Sequence, residues 1–256
     1  FQHGACGSGK GCAAFLAPLA YDAYVSPAAE DDVRAGEPGH LGNAQTRLDG
    51  HEEKGVIATT KPGALIRSGQ QGIDFRSHDL RHPLEDMGPF DLIWVRFVLE
   101  YNRVESFEII RNLDAVLKPG GSLCLLDLDY NCLSHFPLPA PMERILFELM
   151  KLLETRFNFD AYAGRKLYSY LYDLGYDDVA LHLLPHHLFY GEVKTEDVFN
   201  WVKKVEVVSL KAKELFEDYP GGRGGFFEDF KSFFLSPRRF TYTPLILCKG
   251  MKPSLP

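Results

Sequence analysis

Phe90-Asp91-Leu92-Ile93-Trp94-Val95-Arg96-Phe97-Val98-Leu99 is the stretch on which the fold turns. It is a nearly continuous apolar run, too short and too rich in β-formers for a helix, and it predicts a strand buried on both faces. Working outward, Glu105 to Leu117 sets Phe107, Ile110, Leu113 and Leu117 on one helical stripe. Glu105 and Glu108 suit the positive end of that helix. Lys118-Pro119-Gly120-Gly121 then stops it, because proline cannot extend a helix and glycine accepts the left-handed exit. Ser122 to Leu128 predicts a second buried strand. Strand, helix, glycine turn and strand form a βαβ unit, which implies an α/β fold with a mostly parallel sheet.

The flanks are read against that unit. Gly72-Ile73-Asp74-Phe75-Arg76 is strand-like, and Val56 to Thr60 is the one strand-like run between residues 28 and 70. Downstream, Met142 to Arg156 and residues 164–174 carry helical spacing, the latter ended by Gly175. Val179 to Leu184 predicts a strand, and residues 195–219 one long helix with Glu196 and Asp197 near its start. Pro220-Gly221-Gly222-Arg223-Gly224-Gly225 reads as a flexible loop. Ser236-Pro237-Arg238-Arg239 reads as a solvated basic turn. Phe240 to Cys248 predicts a last strand, with Pro244 pointing to an edge position or a bulge. The expected organisation is a single domain over 1–256. Residues 1–70 are its atypical part, and 192–238 a helical insertion or lid.

The 256 residues carry 28 Lys and Arg against 35 Asp and Glu, a net charge of −7. That balance disfavours nucleic acid and anionic membrane surfaces, which attract positive patches. No apolar run reaches the roughly 18–20 residues of a membrane span. No secretory leader is read, and the five scattered cysteines read as reduced thiols, so a cytoplasmic location is expected. The start at Phe1 reads as a fragment or a processed terminus.

Ligands of open α/β sheets bind at the carboxyl ends of the strands. Those ends carry His78-Asp79-Leu80, Arg96-Phe97 and Asp127-Leu128-Asp129-Tyr130, expected as three neighbouring edges. Asp79, Asp127 and Asp129 also suit turns and strand-end caps. Here the chain resembles the class I S-adenosylmethionine-dependent methyltransferases of the small-molecule type. The resemblance runs through Gly72–Leu80, Phe90–Tyr101 and the Leu117-Lys118-Pro119-Gly120-Gly121 turn into Asp129. It continues in Asp160–Leu167, Leu174-Gly175-Tyr176 and Phe240–Lys249. It implies a Rossmann-like, mostly parallel sheet with an antiparallel last strand and helical insertions over the strand carboxyl ends. It implies methyl transfer from S-adenosylmethionine, with Asp79 and Leu80 facing the adenine and His78, Arg96 and Phe97 completing the cofactor pocket. Tyr130, Arg165, His187 and Tyr190 are expected to line the pocket of a small-molecule acceptor, and His135 is the candidate base.

The family's N-terminal cofactor motif is degraded or truncated here. The closest match is His3-Gly4-Ala5-Cys6-Gly7-Ser8-Gly9, where Gly7, Ser8 and Gly9 would approach the cofactor. No full first strand precedes it, so Val56 to Thr60 is a candidate substitute. Gly4 to Lys10 also nearly fits a phosphate loop, except that Gly11 replaces the Mg²⁺-binding hydroxyl. That leaves a nucleotide-phosphate-binding protein and a degenerate, non-catalytic binding module as alternatives. His182, His186 and His187 read as a half-exposed strand and turn, and no metal site is expected. Oligomeric state is not readable.

Overall fold

The computed structural model describes residues 12–16, 55–59, 73–85 and 87–254. Eight strands form one sheet: β1 (Cys12–Leu16), β2 (Gly55–Thr59), β3 (Ile73–Ser77), β4 (Phe90–Arg96), β5 (Leu117–Leu128), β6 (His135–Phe136), β7 (Asp177–Tyr190) and β8 (Phe240–Met251). The order is β3-β2-β1-β4-β5-β8, with β7 and β6 both paired to β8. Strands β1 to β5 pair in parallel, and β8 runs antiparallel to β5, β6 and β7. The α/β class, the parallel sheet and the antiparallel last strand are therefore as the sequence implies.

The βαβ unit forms from the residues that predict it. In β4, Ile93 and Val95 are 0 % and 1 % exposed. Helix α1 (Ser106–Ala115) buries Ile109, Ile110 and Leu113 against the sheet. It stops before Leu117, which pairs with Phe90 at the start of β5. Gly120 takes φ +74°, and a Cβ on Gly121 would press on Leu117 and the Lys118 carbonyl, so the turn needs both glycines. The centre of the sheet differs from expectation. The strand beside β4 is Cys12–Leu16, and Gly55–Thr59 lies outside it as β2 rather than substituting for it. Strand β3 is thus separated from β4 by two strands. At about 4.8 Å per strand, its end lies about 14 Å from that of β4, so the three expected edges are not all neighbours.

Strand β8 overshoots its neighbour. Residues 245–251 pair with β5, whereas Phe240 and Thr241 pair with β6 beyond the end of β5. Strand β7 follows β8 along its whole length, with a register shift between Pro185 and His187 where Pro185 faces Pro244. Pro244 thus sits in an interior strand beside a bulge. The ribbon enters a second core built on α2 (Ala140–Phe157), α4 (Thr195–Leu210) and α5 (Gly222–Leu235). The first core lies between the sheet, α1 and α3 (Leu167–Asp173).

Two expectations in this cap are corrected. The long helix ends at Leu210. Ala212 leaves helical geometry (φ −138°), and a 3₁₀ turn over Lys213–Phe216 drives Phe216 against Phe226, 4.9 Å away. The glycine run is not a loop either, because Gly222 to Gly225 form the first turn of α5. A Cβ on Gly225 would collide with the Pro220 carbonyl oxygen, whereas one on Gly224 meets nothing within 4 Å. Gly225→Ala is expected to destabilise the fold by about 1–3 kcal/mol. Gly224→Ala is expected to stabilise it by about 0.5–1 kcal/mol through helix propensity. Urea denaturation of the two variants checks both signs.

Candidate functional site

The carboxyl ends of the parallel strands lie on one side of the sheet. Leu16 pairs with Arg96, and Thr59 with Ser77, so β1 to β4 finish nearly level. Phe97, the first residue after β4, has φ +56°, and Tyr130, just past β5, has φ +54°. Non-glycine residues in this region carry strain, and such strain clusters at functional sites. The turn after β4 is held by Asp127. This residue is fully buried, and its Oδ2 accepts the Leu99 N–H at 2.9 Å. Asp127 thus ties the ends of β4 and β5 together.

A buried polar chain extends from there into the cap. Glu100 is 2 % exposed, and its Oε2 accepts Asn131 Nδ2 at 3.2 Å. Asn131 Oδ1 accepts Lys204 Nζ of α4 at 3.0 Å. Burial pushes the Glu100 carboxyl up to about 7, with Lys204 opposing. Burial and the Glu100 charge push Asp127 well above the usual carboxylate range. Glu100 can therefore hold or release a proton near neutrality, and its charge opposes ionisation of Asp127 beside it. The sequence reading treats Asp127 as a strand-end acid and passes over Glu100, Asn131 and Lys204. The available signal was Glu100 itself, a lone charge directly after an apolar run.

The residues read from sequence divide into groups. Asp129 and Arg165 form a two-pronged ion pair (2.8 and 2.9 Å), and the guanidinium lies 4.6 Å over Tyr162. Tyr130 meets Tyr162 edge-on at 5.6 Å, so Tyr130 and Arg165 share one mouth beside β5. Phe97 meets the His186 ring edge-on at 5.4 Å, and Arg96 lies 4.5 Å over Phe97. His186 and His187 are 4.2 Å apart, and His187 is 5.2 Å from Trp201 in the cap. Rings thus connect the end of β4 to the second core.

Other expected members stand apart. The Asp79 carboxylate accepts the Arg81 side chain through both oxygens, which holds it down at about 2. His78 Nε2 donates to the His82 carbonyl at 3.4 Å. The Leu80 side chain belongs to the core, where its carbonyl accepts Asn112 Nδ2, so it does not face a cofactor. Tyr190 is 69 % exposed near the end of edge strand β7 and does not line the mouth. His135 is enclosed by Trp201, Phe230 and Phe233, and burial lowers it to about 4. Such a ring is a weak base, and it lies in the cap core rather than at the ends of β4 and β5. Gly7, Ser8 and Gly9 fall outside the described residues. In chain order they precede β1, whereas a loop at its carboxyl end must follow Leu16.

Against this geometry stand the comparisons with known proteins. Residues 54–125 match the family model of a methyltransferase domain. That segment runs from just before β2 to the middle of β5, and over it the resemblance read from sequence holds. No curated protein matches the chain. Among solved structures, a Bacillus halodurans protein assigned as a methyltransferase is 16% identical, with TM-score 0.47, covering 79% of this chain and 84% of its own. YcgJ of Bacillus subtilis is 12% identical, with TM-score 0.46, covering 97% and 94%. Phosphoethanolamine N-methyltransferase 2 of Haemonchus contortus, solved with S-adenosyl-L-methionine, is 10% identical, with TM-score 0.44, covering 96% and 49%. This chain spans about half the length of that enzyme.

The buried acids predict a pH signature. Glu100 titrates near 4.5 when unfolded and about 7 when folded, so the folded state binds the extra proton between those values. Its contribution to stability is complete below 4.5 and falls as pH rises to 7. His135 and His186 are lowered to about 4 and His187 to about 3, against an ordinary 6.5. Their contribution runs the opposite way and is lost as pH falls below 6.5. The informative quantity is therefore a difference. The unfolding free energy of Glu100→Gln minus that of the wild type is expected to grow from pH 4.5 to pH 7. A flat difference in urea titrations would remove Glu100 from this role.

Proposed function

We propose that the chain is an S-adenosylmethionine-dependent methyltransferase acting on a small-molecule acceptor. The observation that carries the proposal is the match of residues 54–125 to a methyltransferase domain, because that segment builds strands β2 to β5. The strand ends fit such a cofactor in one specific respect. Asp79 lies two residues past the end of β3 with its side chain 32% exposed, so an adenine amine can reach its carboxylate in competition with Arg81. Arg96 and Phe97, at the end of β4, would border the reacting end.

The cofactor supplies an electrophilic methyl group on a sulfonium. The chain's own residues orient an acceptor and exclude water. The acceptor would enter between the Tyr130–Arg165 mouth and the His186–Trp201 wall, with the Glu100–Asp127 pair available to take a proton. Helices α2, α4 and α5 stand over these groups, which favours a small acceptor over a macromolecule. The described cysteines Cys124, Cys132 and Cys248 are free and buried, which suits a reducing compartment such as the cytoplasm. No helix among the described residues is long and apolar enough to cross a membrane.

A degenerate binding module is the second reading. It is favoured by Ala17-Pro18-Leu19-Ala20 following β1, where no glycine is available for close approach to a cofactor. Calorimetry with S-adenosylhomocysteine tests both readings. Saturable micromolar binding is expected, and no binding of either cofactor form at millimolar concentration overturns the cofactor assignment. Asp79→Ala is expected to weaken binding about tenfold or more, the loss typical of a charge-assisted hydrogen bond. Unchanged affinity would remove Asp79 from the site. Cofactor binding without methyl transfer to any small-molecule fraction would favour the module.

A further inference from the structure

Among the described residues, Arg239 is a buried charge without an anion. It lies in the turn between α5 and β8 and is 1 % exposed, against the sequence reading of a solvated basic turn. Its Nε donates to the Phe234 carbonyl at 2.8 Å. Nη1 and Nη2 are buried and have no hydrogen-bond partner among the described residues. The guanidinium lies 5.1 Å over Phe234 and 6.0 Å over Phe189. Two rings and one carbonyl do not replace the water removed from both arms. A guanidinium taken out of water is normally matched by an oxyanion, and an apolar side chain would fill a plain core better.

Its neighbours are incomplete in the same way. His135 Nδ1 is 2.9 Å from Thr241 Oγ1, but its Nε2 is buried without a partner. Thr243 Oγ1, and His187 Nδ1 opposite it on β7, also lack a partner among the described residues. His135, His187 and Arg239 border one aromatic box. His135 and His187 meet Trp201 edge-on at 5.4 and 5.2 Å, and Trp201 stacks on Phe234 at 5.5 Å. Arg239 also borders a cavity of about 410 Å³, whose lining includes Met142, Tyr219, Asp229, Phe233, Ser236 and Arg238. Asp229 there accepts the Tyr219 hydroxyl at 2.8 Å and does not pair with Arg239.

We propose that this box binds the carboxylate of a small aromatic or apolar acid. The two free arms of Arg239 hold both oxygens, and the cavity beside it, lined by Met142, Tyr219 and Phe233, takes the apolar body. The planar fork matches a two-oxygen group. The imidazoles of the box are neutral and Lys204 is engaged with Asn131, so the positive charge comes from Arg239 and from Arg238, which lines the same cavity, and phenyl phosphate is the comparison that tests the carboxylate assignment. The site stands on the cap alone and does not depend on methyl transfer.

The test is calorimetry on the full chain without added cofactor, using benzoate, with benzamide and phenyl phosphate for comparison. Benzoate is expected to bind saturably and to raise the melting temperature, with benzamide at least about tenfold weaker. Arg239→Met, shown to be folded by circular dichroism, is expected to lose about tenfold or more in benzoate affinity, and Arg239→Lys as well, since it lacks the fork. Absence of benzoate binding at millimolar concentration, or equal affinity in a folded Arg239→Met, overturns the site. Tighter binding of phenyl phosphate overturns the carboxylate assignment. Should both variants fail to fold, the arginine side-chain ¹⁵N spectrum of the wild type decides. Benzoate must shift one buried arginine resonance, and an unchanged spectrum overturns the proposal. A failure of S-adenosylhomocysteine to bind leaves every arm of this experiment intact.

Discussion

The constraint on which the rest of the structure depends is the pairing of β8 on both of its edges. A strand inside a sheet must satisfy its backbone groups on either side. Strand β5 does this only as far as Leu128, opposite Leu245. Beyond that point, β6 pairs with Phe240 and Thr241 on one edge while β7 continues on the other. The ribbon therefore leaves the sheet as a paired structure and carries its side chains into the cap. His187, Phe189, Thr241 and Thr243 all reach the second core by this route. The two facing prolines, Pro185 and Pro244, mark the place where the ribbon passes the end of β5.

The second theme is burial of charge where strands and cap meet. Glu100 and Asp127 would be costly as two ionised groups in the interior. Their cost is reduced by the Leu99 N–H, by Asn131 and Lys204, and by retention of a proton. Asp160 is also buried, and it pairs with Lys166. Of these contacts, the chain Glu100–Asn131–Lys204 joins a strand end to helix α4 of the cap. The polar contacts therefore orient the cap over the strand ends, which apolar packing alone leaves less well defined.

Legibility followed the local strength of the signal. The unit from Phe90 to Leu128 was readable because both strands are apolar throughout and the intervening turn needs proline and glycine. Its boundaries differed: β4 stops at Arg96 rather than Leu99, and Leu117, which continues the helical stripe in sequence, pairs with Phe90 and opens β5 ahead of Ser122. Cys12–Leu16 was missed because Cys-Ala-Ala-Phe-Leu is short and lacks β-branched residues. Its central place comes from pairing with β2 and β4, a non-local property. Strand β7 was read only over Val179 to Leu184, since Pro185 argues for a stop. The structure continues it because the partner strand bulges at the same level. Tyr130 and Arg165, read from their positions after strand ends, lie together around Tyr162 in the structure. Tyr190 and His135 were misplaced, because sequence position does not say which side of a ribbon faces solvent.

By itself, the order of apolar runs, helical stripes and glycine turns determined the βαβ unit and hence a parallel α/β sheet, while the antiparallel last strand and the helices over the carboxyl ends came from the family resemblance. The βαβ unit is legible because it depends on the periodicity of single elements and on a turn a few residues long. Tertiary structure alone decided that Arg239 and Glu100 are buried while Tyr190 is exposed. It also brought His186 to Phe97 and Lys204 to Asn131. Burial and charge pairing are set by segments distant in sequence, so their energies exist only once the chain has closed on itself.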